Sequence, residues 1–420
     1  MKIISFINYM AAVIFFVCYS YQLLYIAVPF FRKNKPIEST KMHKFAVLIA
    51  ARNEEAVISQ LIESIQHQSY PSQMIEIFVA ADNCTDNTAA AAREAGAVVW
   101  ERFNRKKIGK GYALDFLLNQ IEKACPDKPF DGYFVLDADN LLDENYISEM
   151  NKSFSQGHRI ITSYRNSKNY GSNWISAGYA LWFLRESQYL NRSRALLGTS
   201  CAVSGTGFLF HRDILERSGG WRYFLLTEDI EFSIHHIING EKIAYCESAI
   251  LYDEQPTRFS QSWSQRMRWA KGNIQVCRKY GVELIKSILK NKSFSSYDMT
   301  ITLFPAIFLT AFSGIINLIG AAYALHSKEN LIILLQSAGQ SLFNAYLMFF
   351  IIGAITTITE WKHIYCSASK KIGYTFTFPL FMLTYIPITV AAFFKKVEWK
   401  PIEHRESISL KEVRKAGSQA

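Results

Sequence analysis

Apolar runs at both ends of the chain leave only its middle free to fold in water, and that division constrains everything else. Residues 3–31 carry no charge and are long enough to span a hydrocarbon core about 30 Å thick. Residues 299–325 and 331–358 are further membrane-length runs, joined by a short polar stretch at 326–330, and 374–394 is another, interrupted by Pro379 and Pro387. The first run is too long for a signal-peptide core. Arg32, Lys33 and Lys35 follow it where a small-residue cleavage site would stand, so residues 1–35 are expected to remain as an anchor. Basic residues beside apolar spans mark the cytoplasmic side, which predicts a multi-pass cell-membrane protein whose central domain is cytoplasmic. The tail brings a conflict of parity. Three spans after a cytoplasmic domain would put the C-terminus outside, yet Lys395, Lys396, Lys400, Arg405, Lys411, Arg414 and Lys415 ask for the inside. Either the proline-broken run at 374–394 is re-entrant or interfacial, or one earlier run does not cross.

Between the apolar ends, residues 44–275 alternate short apolar strands with amphipathic helices. Residues 45–50 form a fully apolar strand that turns at Ala51-Arg52-Asn53-Glu54-Glu55. A helix follows with Val57, Ile58, Leu61, Ile62 and Ile65 on one face, ended by Pro71. A second strand, 75–81, ends at Asp82 and opens an Ala-rich helix. A third strand covers 98–100, a helix 112–123 and a fourth strand 132–136, which ends at Asp137-Ala138-Asp139. This alternation predicts an α/β fold with a mostly parallel sheet, whose ligands bind beyond the carboxyl ends of the strands. The domain is followed by an amphipathic interfacial segment (276–298), the C-terminal membrane region (299–396) and a basic tail (397–420).

The net charge of +10 sits beside the apolar runs, which fits anionic membrane lipids better than a nucleic-acid groove. Seven scattered cysteines without CxxC or metal-ligand spacing read as reduced thiols.

Several polar groups converge on the strand ends. Asp137 and Asp139 suit one hard cation that also binds phosphate oxygens, and equally suit a helix-capping turn. Asp82 is placed to meet a base or ribose, whereas Asp86 and Thr88 are capping residues. The loop Arg105-Lys106-Lys107-Ile108-Gly109-Lys110-Gly111 offers cations and backbone N–H groups to a diphosphate, Lys110 lying nearest the helix start, or is simply solvated. Ser204-Gly205-Thr206-Gly207 permits close backbone approach or is a plain turn. Trp221, after Gly219-Gly220, is a weak candidate for a ring near a sugar. Thr227-Glu228-Asp229 opens an amphipathic helix, and either Glu228 or Asp229 can serve as a general base. Gln265 and Arg268 share a helical face with Trp269 adjacent, which suits a diphosphate clamp beside a flat sugar platform. A basic interfacial helix is the alternative.

Taken in order, the strand-end AARNE, then DNCTD, GKGYAL, DAD, SGTGF, TED and QRMRW resemble the family 2 inverting glycosyltransferases. The similarity is to their membrane-embedded branch of cellulose, chitin, hyaluronan and poly-N-acetylglucosamine synthases. The resemblance implies a GT-A fold, a nucleotide-diphospho-sugar donor (usually UDP-linked) and Mg²⁺ or Mn²⁺. It places Asp82 and Asp137 on the nucleotide, Asp139 on the metal and Asp229 as the base. Gln265, Arg268 and Trp269 close over diphosphate and acceptor. With these, Ala51, Asn53, Glu54 and Lys110 are expected at the donor, Ser204, Gly205, Thr206 and Gly207 at the acceptor, and Glu228 beside the base. Ala51 stands where many relatives carry Pro.

The expected activity is addition of sugar to a growing β-linked polysaccharide at the membrane, with an accessory export subunit as a possible partner since the membrane part is short. The alternative is single transfer to a lipid. A transporter with a polar path along Gln336, Gln340 and Asn344 is disfavoured by the few spans, and a dead sugar-binding scaffold by the intact acidic set.

Overall fold

The computed structural model describes residues 2–32, 41–126, 130–324, 328–404 and 406–418; Lys33, Lys35, Arg405 and most of the polar stretch at 326–330 fall outside them or without a described side chain. The eight strands are β1 (Phe45–Ala51), β2 (Ile75–Asp82), β3 (Val98–Arg102), β4 (Gly132–Asp137), β5 (Leu141–Leu142), β6 (Ile160–Ser167), β7 (Phe208–His211) and β8 (Ile243–Asp253). They make one sheet in the order β3-β2-β1-β4-β7-β6-β8-β5. Strands β1 to β4 pair in parallel, as do β6 and β8, whereas β7 runs antiparallel between β4 and β6, and β5 is antiparallel to β8.

Period-two alternation explains why the sheet is covered on both faces. Along β1, Ala46 and Leu48 pack into one core, and Phe45, Val47, Ile49 and Ala51 into another. Helix α3 (Ile58–Gln66) buries the predicted Ile58, Leu61, Ile62 and Ile65 in the second core. α4 (Thr88–Glu94) follows β2, and α5 (Lys110–Ala124) fills the first core with Ala113, Leu114, Leu117 and Ile121. α6 (Tyr146–Ser155) covers the face shared with α3. α7 (Trp174–Arg185) passes through a π-helical turn, Glu186–Asn191, into α8 (Arg192–Leu197). α9 (Arg212–Ser218) and α10 (Glu228–Ile238) complete the domain.

The membrane elements differ from the expected ones in instructive ways. The first apolar run divides at Ser20 into α1 (Lys2–Tyr19) and α2 (Tyr21–Phe31). Only α1 stands free of the domain. On α2, Tyr25 is buried, its backbone carbonyl accepts from the Ser193 hydroxyl at 2.6 Å, and Gln22 accepts from Arg185 at 3.0 Å. Most of the expected interfacial segment, residues 276–291, belongs to α11 (Phe259–Asn291), which carries the QRMRW cluster near its start, and its last residues open the next helix. α12 (Phe294–Ala324) and α13 (Lys328–Thr359) follow. Gln340 and Asn344 bond each other at 2.9 Å along the exposed face of α13, so they line no path between helices.

α14 (Ala368–Leu383) and α15 (Tyr385–Phe394) make up the last run, divided at Thr384. Among the described residues, four helical segments are long and apolar enough to cross a bilayer, and by composition this is one of them. Its two ends both meet the central domain. Before it, Glu360 bonds Tyr164 and the His363 carbonyl accepts from Asn166 at 2.9 Å. After it, His404 meets Glu54 at 2.9 Å. The run therefore starts and ends against the central domain, and its inner face packs on α7 through Phe381 and Tyr179, 4.9 Å between ring centroids. Both ends meeting the domain is the arrangement that the re-entrant or interfacial alternative requires. The basic tail packs on the domain. It runs back over the domain to α16 (Leu410–Ser418).

Candidate active site

The site lies where β1, β2 and β4 end. Asn53 takes φ +58°, a region Asn tolerates, and its side chain accepts from the Thr85 N–H at 2.8 Å. The first turn is thereby tied to the DNCTD turn. Asp86 accepts from the Thr88 N–H at 3.1 Å and stands one residue ahead of Asn87, the N-cap of α4. Ala51 offers its carbonyl to the Cys84 thiol at 3.5 Å. Asp82 is buried and paired with Arg102, whose guanidinium also holds the Lys107 carbonyl at 2.6 Å. No motif singled out Arg102; it sits directly opposite Asp82 in the β2–β3 register.

The DAD turn is held from behind. The Asp137 N–H donates to Thr206 Oγ1 at 2.9 Å, and Thr206 donates to Asn140 at 2.6 Å. Lys110, first residue of α5, is ion-paired with Asp137 and donates to the Gly205 carbonyl at 2.8 Å. Gly205 in turn donates its N–H to Asp229 Oδ2 at 2.6 Å. Thus Asp137, Lys110, the SGTG turn and Asp229 form one hydrogen-bonded chain, linking residues far apart in sequence.

Asp229 and Glu228 open α10, where the helix N-terminus favours a carboxylate. Burial raises both. Glu228 reaches about 7, helped by the Asp229 charge. Asp229 rises above the usual carboxylate range although the Ile230 N–H, Lys110 and Arg268 oppose the shift. Groups tuned this way suit proton abstraction near neutral pH.

From α11, Arg268 donates to the Leu226 carbonyl at 3.0 Å, just ahead of the TED turn. Trp269 is edge-on to Tyr179 and Phe183 of α7, at 5.7 and 6.1 Å. Gln265 Oε1 is buried without a hydrogen-bond partner among the described residues, which leaves it available to a ligand. The unassigned member of this cluster, Arg266, is fully buried. It donates to the Phe381 carbonyl at 3.1 Å and Thr384 Oγ1 at 2.6 Å, and lies 4.3 and 4.9 Å from the Phe381 and Tyr385 rings. Arg266 ties the QRMRW helix to the break between α14 and α15. Trp221 meets no cleft. It is buried and stacked on Phe232 at 5.5 Å, because its apolar ring closes the core above β7.

Asp139 is buried and accepts from the Glu254 N–H at 2.9 Å. His404 approaches it from the tail, Nε2 lying 4.0 Å from Asp139 Oδ2 while Nδ1 is 2.9 Å from Glu54 Oε2. Burial disfavours a charged imidazole, yet Asp139 and Glu54 outweigh it and hold His404 up at about 10. Burial raises Glu54 to about 7 against the pull of His404, and Asp139 ends below its ordinary value because His404 and Lys168 outweigh its burial. The buried Lys168 ammonium has no hydrogen-bond partner among the described residues. Nearby, Asp253 binds Arg165, whose guanidinium lies 3.6 Å from the Phe183 ring and donates to the Ser204 carbonyl at 2.9 Å. Sequence reasoning missed His404, Arg165 and Asp253.

Among the described residues, no three His, Cys, Asp or Glu side chains form a ready-made metal cage. Asp137 and Asp139 still fit a cation of the Mg²⁺ type, which takes one or two carboxylates and draws its other ligands from phosphate and water.

A mixed, mostly parallel α/β sheet with acidic strand ends and a carboxylate at a helix start belongs to the GT-A-like class of folds. Residues 43–272 match the family described as Glycosyltransferase like family 2, and the chain belongs to that family: it is a glycosyltransferase with membrane helices. It is 27% identical to the probable glycosyltransferase YdaM of Bacillus subtilis over 71% of this chain and 70% of that one. It is 24% identical to a poly-beta-1,6-N-acetyl-D-glucosamine synthase of Staphylococcus epidermidis over 64% of this chain and 65% of that one. A beta-monoglucosyldiacylglycerol synthase of Synechocystis is also 24% identical, over 54% of this chain and 47% of that one. The matched regions thus span less than two thirds of the latter two relatives. In fold the chain is similar to a mannosyltransferase of Pyrobaculum calidifontis solved with GDP-Man and Mn²⁺ (TM-score 0.54, 16% identity, 92% of this chain and 98% of that one).

Proposed function

We propose that the protein transfers a sugar from a nucleotide-diphospho-sugar, UDP-linked by preference, to an acceptor hydroxyl with inversion at the anomeric carbon. The observation that carries this reading is the chain from Asp137 through Lys110 and Gly205 to Asp229, which joins the donor side of the cleft to the base. Asp229 takes the acceptor proton as the hydroxyl oxygen attacks the anomeric carbon. The bond to the diphosphate breaks, and the nucleotide diphosphate leaves with the electron pair. Glu228, its neighbour, is the second carboxylate at the start of α10. Asp82 and Asp137 hold the nucleotide, with Ala51, Asn53 and Glu54 shaping the turn beneath it. Ser204, Gly205, Thr206 and Gly207 line the acceptor side, and Gln265, Arg268 and Trp269 close over diphosphate and acceptor. A Mg²⁺ or Mn²⁺ ion held by Asp139, with Asp137 beside it, would neutralise charge on the leaving diphosphate.

The acceptor we favour is the end of a β-linked polysaccharide, with the catalytic domain in the cytoplasm. The similarity to a poly-beta-1,6-N-acetyl-D-glucosamine synthase supports that choice. Transfer to a membrane lipid is the second reading, supported by the similarity to a diacylglycerol glucosylating relative and by α14–α15, which brings apolar helices onto α7 beside Trp269. Membranes given a panel of labelled nucleotide sugars separate the two. Label in long polymer supports the first, and label only in solvent-extractable lipid overturns it. Asp229→Asn is expected to abolish transfer and spare donor binding; full turnover in that variant would overturn the base assignment.

A further inference from the structure

We infer that the exposed polar face of α13 is where a second copy of this chain docks within the membrane, Gln340 and Asn344 of each copy pairing with the same residues of the other. α13 is one of the segments long and apolar enough to cross a bilayer. Yet Gln336, Ser337, Gln340, Ser341 and Asn344 set five polar side chains within nine positions of it. Their four-residue spacing stacks them as adjoining strips on one side of the helix. Gln340, Ser341 and Asn344 are exposed. At 1.5 Å per residue the band runs about 12 Å along the axis, beyond the first turn of the apolar run that opens at Leu331. Hydrocarbon offers such groups no partner, so polar side chains in a span turn to another helix or to water.

Elsewhere in the membrane region this chain satisfies them between helices. Asn8 of α1 and Asn317 of α12 exchange two amide hydrogen bonds, at 2.9 and 3.0 Å. Thr357 of α13 meets Thr375 of α14 at 2.8 Å, and Tyr346 donates to the Phe376 carbonyl at 3.0 Å. On the polar face the bonds stay within α13. Gln340 donates to Asn344 at 2.9 Å, and Ser341 to the Ser337 carbonyl at 2.9 Å. Among the described residues, no hydrogen bond joins Gln336, Gln340 or Asn344 to another helix. A side-chain amide has two donor hydrogens and an oxygen with two lone pairs. Gln340 and Asn344 therefore each keep both donor and acceptor capacity unused.

That spare capacity is self-complementary. Copies inserted the same way in one bilayer are related by a two-fold axis along the membrane normal, which sets α13 parallel to α13. Each residue near the axis then meets its own counterpart at equal depth. An amide facing an identical amide donates and accepts at once, the exchange already made between Asn8 and Asn317. Ser337 and Ser341, small and four apart, let the two backbones approach, and a polar residue in such a seam fixes its register. Tyr346 and Thr357 turn the opposite side of α13 to α14, so the polar face points away from the helices of its own chain.

The test uses the full-length protein, labelled with donor or acceptor dye and reconstituted over a range of protein-to-lipid ratios in vesicles of phosphatidylcholine and phosphatidylglycerol. Energy transfer between copies is expected to saturate at one partner per copy and to reverse on dilution with lipid. N344L and Q340L put apolar side chains at exposed positions, and each is expected to weaken association about fivefold or more with thermal unfolding unchanged. N344Q keeps the amide and should keep most of the association. L318A, at an exposed position of α12, should leave it as in the wild type. With a membrane-permeant oxidant, N344C is expected to cross-link to its own copy above the wild-type background, and L335C, on the opposite side of the helix, to stay at that background. Transfer no greater than random proximity at every density overturns the inference. So does association untouched by Q340L and N344L together, or cross-linking through L335C as strong as through N344C.

Discussion

Gly207→Ala measures how the SGTG turn is built. Gly205 and Gly207 both take left-handed backbone conformations, φ +76° and +68°, which cost a residue with a Cβ about 1–2 kcal/mol. Their surroundings differ. A Cβ on Gly205 would meet nothing closer than Arg165 at 3.8 Å, whereas on Gly207 it would lie 1.9 Å from Leu251 Cδ2 and 2.8 Å from Ser163 Oγ. Leu251 is fully buried in the sheet core, so relief requires repacking, which costs about 1–3 kcal/mol more. Gly205→Ala should therefore cost only the backbone term. Gly207→Ala should cost about 2–5 kcal/mol, a fall in Tm on the order of 10 °C for a domain this size. Thermal unfolding of the purified protein reads both. Leu251→Ala alone opens a cavity and destabilises by about 2–5 kcal/mol, but combined with Gly207→Ala it removes the clashing atom. The pair should then be less destabilised than the sum by about 1 kcal/mol or more. Equal Tm values for the two glycine variants, or strict additivity with Leu251→Ala, would refute this account of the turn.

The other predictions concern charge. A general base acts only when ionised, and burial raises Asp229 and takes Glu228 to about 7. The kcat profile should therefore fall on acidification with a midpoint above the ~3.9 of a free aspartate; a profile flat down to pH 4 contradicts this. Arg194 and Asp298 form a fully buried ion pair between α8 and α12, joined by Tyr21 and Tyr25 at 2.5 and 3.1 Å. Asp298→Asn strands the guanidinium and should cost about 3–5 kcal/mol, while the double change Arg194→Met/Asp298→Leu should recover most of that loss, as read by thermal unfolding. Arg266→Lys keeps the charge but loses the planar fork over Phe381 and Tyr385. It should loosen α14–α15, seen as faster amide exchange at residues 381–385, with unchanged exchange at β1 as the control.

The order of motifs along the chain carried the family, the α/β class and the strand-end carboxylates, because each depends on local pattern. Period-two apolar runs make β1 to β4, helical spacing makes α3 and α5, and Asp82, Asp137 and Asp139 then fall at strand ends by continuity. The same locality explains what stayed hidden. Hydropathy marks residues 374–394 as a membrane-length run since it counts apolar side chains, and it cannot register that Arg266 and α7 pack against α14. Gly219-Gly220-Trp221 looked like a loop aromatic since nothing local shows that Phe232 stacks on the ring. His404 gave no signal at all: one histidine in a basic tail has no pattern until folding brings it to Glu54 and Asp139.

The sequence by itself determined which chemistry is present and at which strand ends it stands, because covalent spacing dictates secondary structure and hence register. Only the tertiary structure decided which groups meet. Lys110 with Asp137, Gly205 with Asp229, Arg266 with the α14–α15 break and His404 with Asp139 are long-range pairings, and their partners are chosen by packing of the whole core.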